Sequence, residues 1–329
     1  MRHRIGWLLT AWLTAIACSG PEAAPTTAGL PRVRVSFNPH LSWGPLMIAQ
    51  AEVFFRDEGV DVEFVSALRS EESLVALVTG DIDVRPGPLH AGFLSAIAQG
   101  ARVRIAAGQG HLAGDGCTYY AIVLRPGLDP SRASAIARMR ASQDGATRYV
   151  VSRMLAKHDV NLNAIETIRL PEAVMAMSLQ SGAIDAVAVS EPALTRVAKI
   201  GTLWLAGQEA LPDFQWGVLA FGERLLVRER ETGIRFLRGY QRGVARYREG
   251  KTERNVAIIA ESTGESPEIT REACWPTFSA DSRVNWESIR DFQAWANAQG
   301  LMEHTLTLDQ AWDSTFIGAS TRRSSTELP

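Results

Sequence analysis

A chain of 329 residues, 46% hydrophobic and only 21% charged, carries enough apolar side chain to fill the cores of two domains, which excludes wholesale disorder and coiled coil. Its 34 basic and 36 acidic residues leave a net charge of −2, so it has no cationic surplus to displace counterions from a phosphate backbone, and nucleic acid is not expected as a partner. Three scattered cysteines, Cys18, Cys117 and Cys274, are too few for a zinc ribbon or a disulfide-dense scaffold.

The chain opens with Arg2, His3 and Arg4, continues through twelve mostly apolar residues at 5–16, and reaches Ala17 and Cys18. This reads as a signal peptide over residues 1–17. A helix of that apolar length spans about 18 Å against a hydrocarbon core of roughly 30 Å, so a permanent transmembrane helix is not expected. Residues 15–18 (AIAC) resemble a bacterial lipobox, whose cysteine receives a diacylglycerol and becomes the mature N-terminus, although Ala15 and Ile16 depart from its usual leucine and small residue. The alternative is ordinary secretion with cleavage between Ala17 and Ala23. Residues 18–32 then form a lipidated cysteine and a flexible tether, because SGPEAAPTTAGLP has no periodicity and a single large apolar residue, Leu30.

From Val33 the chain is predicted to alternate strand and helix. Strands are expected at 33–37, 60–65, 82–84 and 103–107, with helices at 45–55, 71–78 and 91–98 between them. Single helices between strands call for right-handed crossovers and a mostly parallel sheet. A longer apolar strand at 119–124 leads, through the turn-rich RPGLDPS, into a second lobe with helices at 147–156 and 171–180 and strands at 168–170 and 184–189. Leu77, Gly80, Ile82 and Asp83 recur there as Leu179, Gly182, Ile184 and Asp185, each time where a helix gives way to a strand. Glycine can stop the helix with positive φ, isoleucine enters the sheet, and the aspartate can accept backbone N–H groups. A strand at 216–221 returns to the first lobe, and helices at 233–248 and 286–299 follow.

The runs PLMIAQAEVFFRDEGVDVEFV (45–65), SLVALVTGDIDV (73–84), AIAQGARVRIAAG (96–108), SLQSGAIDAVAVSEPAL (178–194) and NAQGLM (297–302) together resemble the type II periplasmic solute-binding proteins of ABC importers. The resembled group serves nitrate, sulfonates, taurine and the pyrimidine precursor of thiamine. The resemblance implies a two-lobed α/β fold, each lobe a mostly parallel sheet flanked by helices, with C-terminal helices packing on the first lobe. Lobe 1 is expected at 33–118 and 217–329, and lobe 2 at 119–216. Residues 137–141 (ARMRA) depart from the family's apolar first strand of lobe 2. The expected partners are a small-molecule ligand, an ABC permease with its cytoplasmic ATPase, and a membrane held through lipid on Cys18. A monomer with no cofactor and no metal is expected.

Ligands of parallel sheets sit beyond the carboxyl ends of the strands, where helix N-termini aim unsatisfied N–H groups outward. The candidate ligand residues are therefore Asn38, His40, Ser42, Trp43, Ser66, Pro88, Leu89, His90, Gln109 and His111 in the first lobe. In the second they are Ser142, Asp144, Gly145, Thr147, Ser190 and Glu191, with Gln215 and Trp216 at the return crossing. Trp43 can stack on a planar or alkyl ligand or simply fill a core. Ser142, Gly145 and Thr147 can offer hydroxyls and amides to an anion or act as helix caps. Glu191 matches a position where the family often has a carboxylate near the ligand; there it would suit an amine, and otherwise it is a helix-start charge. His40, His90 and His111 follow different strands and could share a metal or an anionic ligand, although no close-spaced pair supports a metal. Cys117 and Cys274 form a disulfide in an oxidising compartment or remain two thiols. Relatives of the pyrimidine group include a pyrimidine synthase using pyridoxal phosphate and iron. None of Lys157, Lys199 and Lys251 falls on a strand-end loop to hold such a cofactor, and no nucleophile-elbow, HExxH or P-loop pattern is present, so no enzyme is expected. A lipid-anchored sensor would use the same cleft.

Overall fold

The computed structural model describes residues 29–66, 70–112, 116–142 and 145–321. Ten strands form in chain order: β1 (Arg32–Phe37), β2 (Asp61–Ser66), β3 (Val84–Pro88), β4 (Arg104–His111), β5 (Tyr120–Leu124), β6 (Arg138–Arg140), β7 (Glu166–Ile168), β8 (Ala186–Ser190), β9 (Thr202–Ala206) and β10 (Gln215–Phe221). They assemble into two five-stranded sheets, ordered β2-β1-β3-β10-β4 and β7-β6-β8-β5-β9. Helices flank both sheets, giving an α/β architecture built on two separate sheets.

In the first sheet β1 pairs in parallel with β2 and β3, while β10 runs antiparallel between β3 and β4. In the second β6 pairs in parallel with β7 and β8, while β5 runs antiparallel to β8 and β9. The sheets are thus mixed: the strand that arrives from the other sheet, β5 or β10, enters each one reversed. The chain leaves the first sheet after His111, joins the second at Tyr120, and returns between Ala206 and Gln215.

The repeated corner has the same physics in both sheets. Gly80 and Gly182 end their helices at φ 83° and 75°, a region where a Cβ is disfavoured. Asp83 Oδ2 accepts the Arg34 N–H of β1 at 2.8 Å, and Asp185 Oδ2 accepts the Ala137 and Arg138 N–H groups beside β6 at 3.0 Å each. Each carboxylate therefore holds the neighbouring parallel strand in register. From the long helix Arg230–Tyr247 the Tyr240 hydroxyl donates to Gly108 O at 3.0 Å, which fixes the C-terminal helices on the first sheet. Tyr149 in the helix Gly145–Ala156 meets Phe214, Phe292 and Trp295 at centroid distances of 5.4, 5.7 and 5.2 Å. An aromatic cluster thereby joins the second sheet's helix to the C-terminal helix Trp286–Ala298.

Several elements depart from the sequence reading. The strand expected at 103–107 continues to His111, because β10 pairs with it up to Gln215 opposite His111, so Gln109 and His111 are strand residues and not loop residues. The strand expected at 82–84 begins at Val84 and runs to Pro88, with Pro86 and Pro88 paired opposite Leu219 and Gly217. The helix expected at 45–55 is split at Val53, whose φ of 54° separates Gly44–Ala51 from Phe54–Asp57. β6 does form in the doubted ARMRA run: Arg138 is exposed, Met139 is fully buried, and Arg140 lies between.

Candidate functional site

A cavity of about 320 Å³ opens where the ends of strands from both sheets face each other. After β1, a short 3-10 turn at Leu41–Trp43 brings His40, Ser42 and Trp43 to its wall, with Asn38 beside them. After β3 come Pro88, Leu89 and His90, the last capping the helix Ala91–Ala98 by accepting the Gly92 N–H on Nδ1 at 3.1 Å. The second sheet contributes Tyr119, Tyr120, Arg140, Ser142, Gly145, Ala146, Thr147 and Ser190, and Trp216 completes the wall from β10. The two rims touch: the Ala146 N–H donates to Leu89 O at 2.9 Å. That approach needs Gly145, at φ 62°, because a Cβ there would lie 3.1 Å from Leu89 O.

Burial sets the charge states of the wall. It holds His40 below the usual imidazole range, against a weaker pull from Glu172, so His40 is neutral at pH 7. The Tyr119 phenol is pushed up to about 12 by burial, opposed by the hydroxyl of Ser42, and Tyr120 is raised by burial against the opposing charge of Arg140. Arg140 Nη1 donates to Ala188 O at 2.9 Å, which orients the guanidinium at the end of β6. The Trp43 indole N–H is buried with no acceptor among the described residues. Tyr119 stands edge-on to Trp216 at 5.6 Å and 85°, and Tyr120 lies 5.0 Å from the same ring.

Among the sequence candidates, Asn38, His40, Ser42, Trp43, Pro88, Leu89, His90, Ser142, Gly145, Thr147, Ser190 and Trp216 come together on this wall. The others do not. Glu191 is buried, with Oε2 accepting the Thr195 N–H at 2.8 Å and Oε1 accepting the Thr195 hydroxyl and the Cys274 N–H at 3.0 Å each. Both oxygens thus accept backbone and hydroxyl donors, two of them from Thr195 in the helix Ala193–Val197, so in this structure Glu191 has the second of its two expected roles, a charge at a helix start. Gln109 donates from Nε2 to Ser42 O at 3.1 Å and supports the turn from below. Gln215 pins the return crossing, donating to Gly110 O and Gly217 O and accepting the Asn285 N–H. His111 pairs through Nδ1 with Asp213 and lines a separate cavity of about 200 Å³ beside Cys117 and Cys274, so it does not join His40 and His90. Ser66 ends β2 opposite Phe37, and Asp144 and Cys18 lie outside the described residues.

Tyr119, Tyr120, Arg140 and Ala146 line the cavity without having been singled out in the sequence. The tyrosines are masked by their place at the start of an apolar strand, and Arg140 by the shortness of β6. Among the described residues no three His, Cys, Asp or Glu side chains are grouped to hold a metal. Cys117 and Cys274 are joined as a disulfide with Cα atoms 5.4 Å apart.

The NMT1-like family profile matches residues 26–261. No curated protein matches the chain. Among solved structures, the ligand-binding component of an ABC-type import system from Staphylococcus aureus, with zinc bound, superposes with a TM-score of 0.74 at 14% identity, covering 89% of this chain and 100% of that one. The nitrate-binding protein NrtA from Synechocystis PCC 6803 gives 0.70 at 14% identity, covering 91% and 90%. The alkanesulfonate-binding protein SsuA from Xanthomonas axonopodis pv. citri, bound to MOPS, gives 0.66 at 17% identity, covering 86% and 98%. At these identities the likeness is one of fold.

Proposed function

This chain belongs to the NMT1-like family, and from that premise we propose that it is an extracytoplasmic solute-binding protein of an ABC importer. It captures a small organic solute, of the sulfonate, taurine or aminopyrimidine classes, between two lobes and delivers it to a membrane permease without chemical change. The observation that carries this reading is a cavity walled from both sheets, with aromatic faces and a few polar groups, as small-solute sites are built. The lobes are taken as residues 33–118 with 217–329, and 119–216. None of the three lysines lines the cavity, so no Schiff-base cofactor has a residue to hold it there.

Export and a lipid anchor on Cys18 complete the reading; among the described residues no helix is long and apolar enough to cross a membrane. Replacing Cys18→Ser should move the protein from the membrane to the soluble fraction, and an intact mass showing an N-terminus beyond Cys18 would reject the anchor. The binding reading is tested by calorimetry against alkylsulfonates, taurine, nitrate and aminopyrimidines, together with mass spectrometry of solute retained through native purification. Saturable one-site binding that quenches Trp43 or Trp216 is expected. A protein that retains no solute and binds no member of the panel overturns it.

A further inference from the structure

The wall of the cavity is rich in donors and poor in acceptors of charge. Arg140 spends one N–H on Ala188 O and, among the described residues, faces no carboxylate. Its neighbour two residues back, Arg138, points instead to solvent, with Glu166 at 3.9 Å. A guanidinium presents five donors in a fixed fork, so Arg140 keeps most of its hydrogen-bonding capacity for whatever enters. Trp43, only 6% exposed, adds an indole N–H that finds no acceptor. A buried donor left unpaired is costly, and Trp43 lines the cavity, so this N–H is a place where a ligand acceptor is wanted.

No Asp or Glu is among the described residues of the wall, and Glu191, next to wall residue Ser190, has both oxygens engaged by the Thr195 and Cys274 donors. His40, its pKa held down by burial, adds no positive charge of its own, which leaves Arg140 as the cation among the described residues of the wall. The twelve-residue helix Gly145–Ala156 starts at the same wall and turns the positive end of its dipole toward it. The apolar part of the wall is aromatic, with Tyr119 edge-on to Trp216 and Tyr120 tilted against the same ring at 44°.

We infer that the solute is an organic anion with a planar body, its carboxylate or sulfonate held by Arg140 with the Trp43 indole N–H, and its ring set against Trp216. This rests on the solute-binding reading and narrows it: Arg140 sets the charge selectivity of the site. A bidentate guanidinium contact and one indole bond suit the two oxygens of a carboxylate or the three of a sulfonate, whereas an amine would meet like charge with no Asp or Glu among the described residues of the wall to receive it.

The test uses single-ring probes of one shape and different charge: benzoate and benzenesulfonate, the neutral benzamide, and the cationic benzylamine. Calorimetry on the full mature protein should show the anions binding at least tenfold more tightly than benzamide, and benzylamine not at all. Arg140→Gln should lower anion affinity by ten- to a hundredfold while leaving benzamide unchanged, and Arg140→Lys should recover part of the loss. Melting temperatures of the unliganded variants serve as the folding control. If Arg140→Gln binds the anions as the parent does, or benzylamine binds as well as benzoate, the assignment is overturned while solute binding itself stands. If no probe of any charge binds and no solute survives native purification, both the assignment and the solute-binding reading fall.

Discussion

Asp185 and Glu191 flank β8 at its two ends, and burial alone would raise both carboxyls. At Asp185 burial is outweighed by the Arg138 N–H, the Arg125 guanidinium and the Ala137 N–H, which hold it below the usual carboxylate range. At Glu191 burial wins over the Cys274 and Thr195 donors, and the carboxyl is raised. The two therefore act on stability with opposite signs. Asp185 contributes stability that is present above its unfolded value and lost as pH falls through its lowered folded value. Glu191 contributes stability that is present below its unfolded value and lost as pH rises through its raised folded value. Removing Asp185 by Asp185→Ala should cost about 1.5–3 kcal/mol at pH 7, as for hydrogen bonds to a charged group. In urea unfolding the gap to the parent should close as pH falls below about 4. A gap of the same size at pH 7 and pH 3 would show that the carboxylate charge is not what matters.

At the scale of elements, the start of the helix Gly145–Ala156 is where the two rims meet. Gly145→Ala combines a left-handed conformation, worth about 1–2 kcal/mol against an L-residue, with a Cβ 3.1 Å from Leu89 O and 3.3 Å from His90. Solute affinity measured by calorimetry should fall about five- to thirtyfold, and unchanged affinity would mean that this contact does not belong to the bound form. Much of this neighbourhood was legible: Ser142, Gly145 and Thr147 stand in a turn before a periodic run, and Trp43 follows a clear strand. Arg140 was not, because three residues of β6 give too short an alternation to announce which arginine turns inward. β9, residues TLWLA, passed unnoticed as an edge strand with two exposed positions at its start. Pro86 and Pro88 hid the length of β3, since proline argues against a strand with full ladder bonds. The use of Glu191 depends on Cys274, 83 positions along the chain, a pairing that no local pattern carries.

For the whole molecule, the ties between the halves differ in kind, and include the ion pairs of Arg196 with Glu265 and of Lys199 with Glu272. Two segments of chain cross, the aromatic cluster around Tyr149 joins helix to helix, and Glu191 from the second sheet holds the Cys274 amide, itself anchored through the disulfide to Cys117. At the cavity, the described backbone link is the hydrogen bond from Ala146 to Leu89. Small-angle scattering of the Gly145→Ala variant should accordingly give a larger radius of gyration than the parent, with saturating solute shrinking both. No change on saturation would remove the proposal that the two lobes close on a solute, and the lobe boundaries that go with it. A single neutral backbone bond contributes about 1 kcal/mol net, or a factor of about five in population. On the solute-binding reading, such a fastening would bias the doorway shut without sealing it, leaving the dwell time of the cargo to what it touches inside. A docked importer would then need to offset only that small bias at the doorway to start unloading.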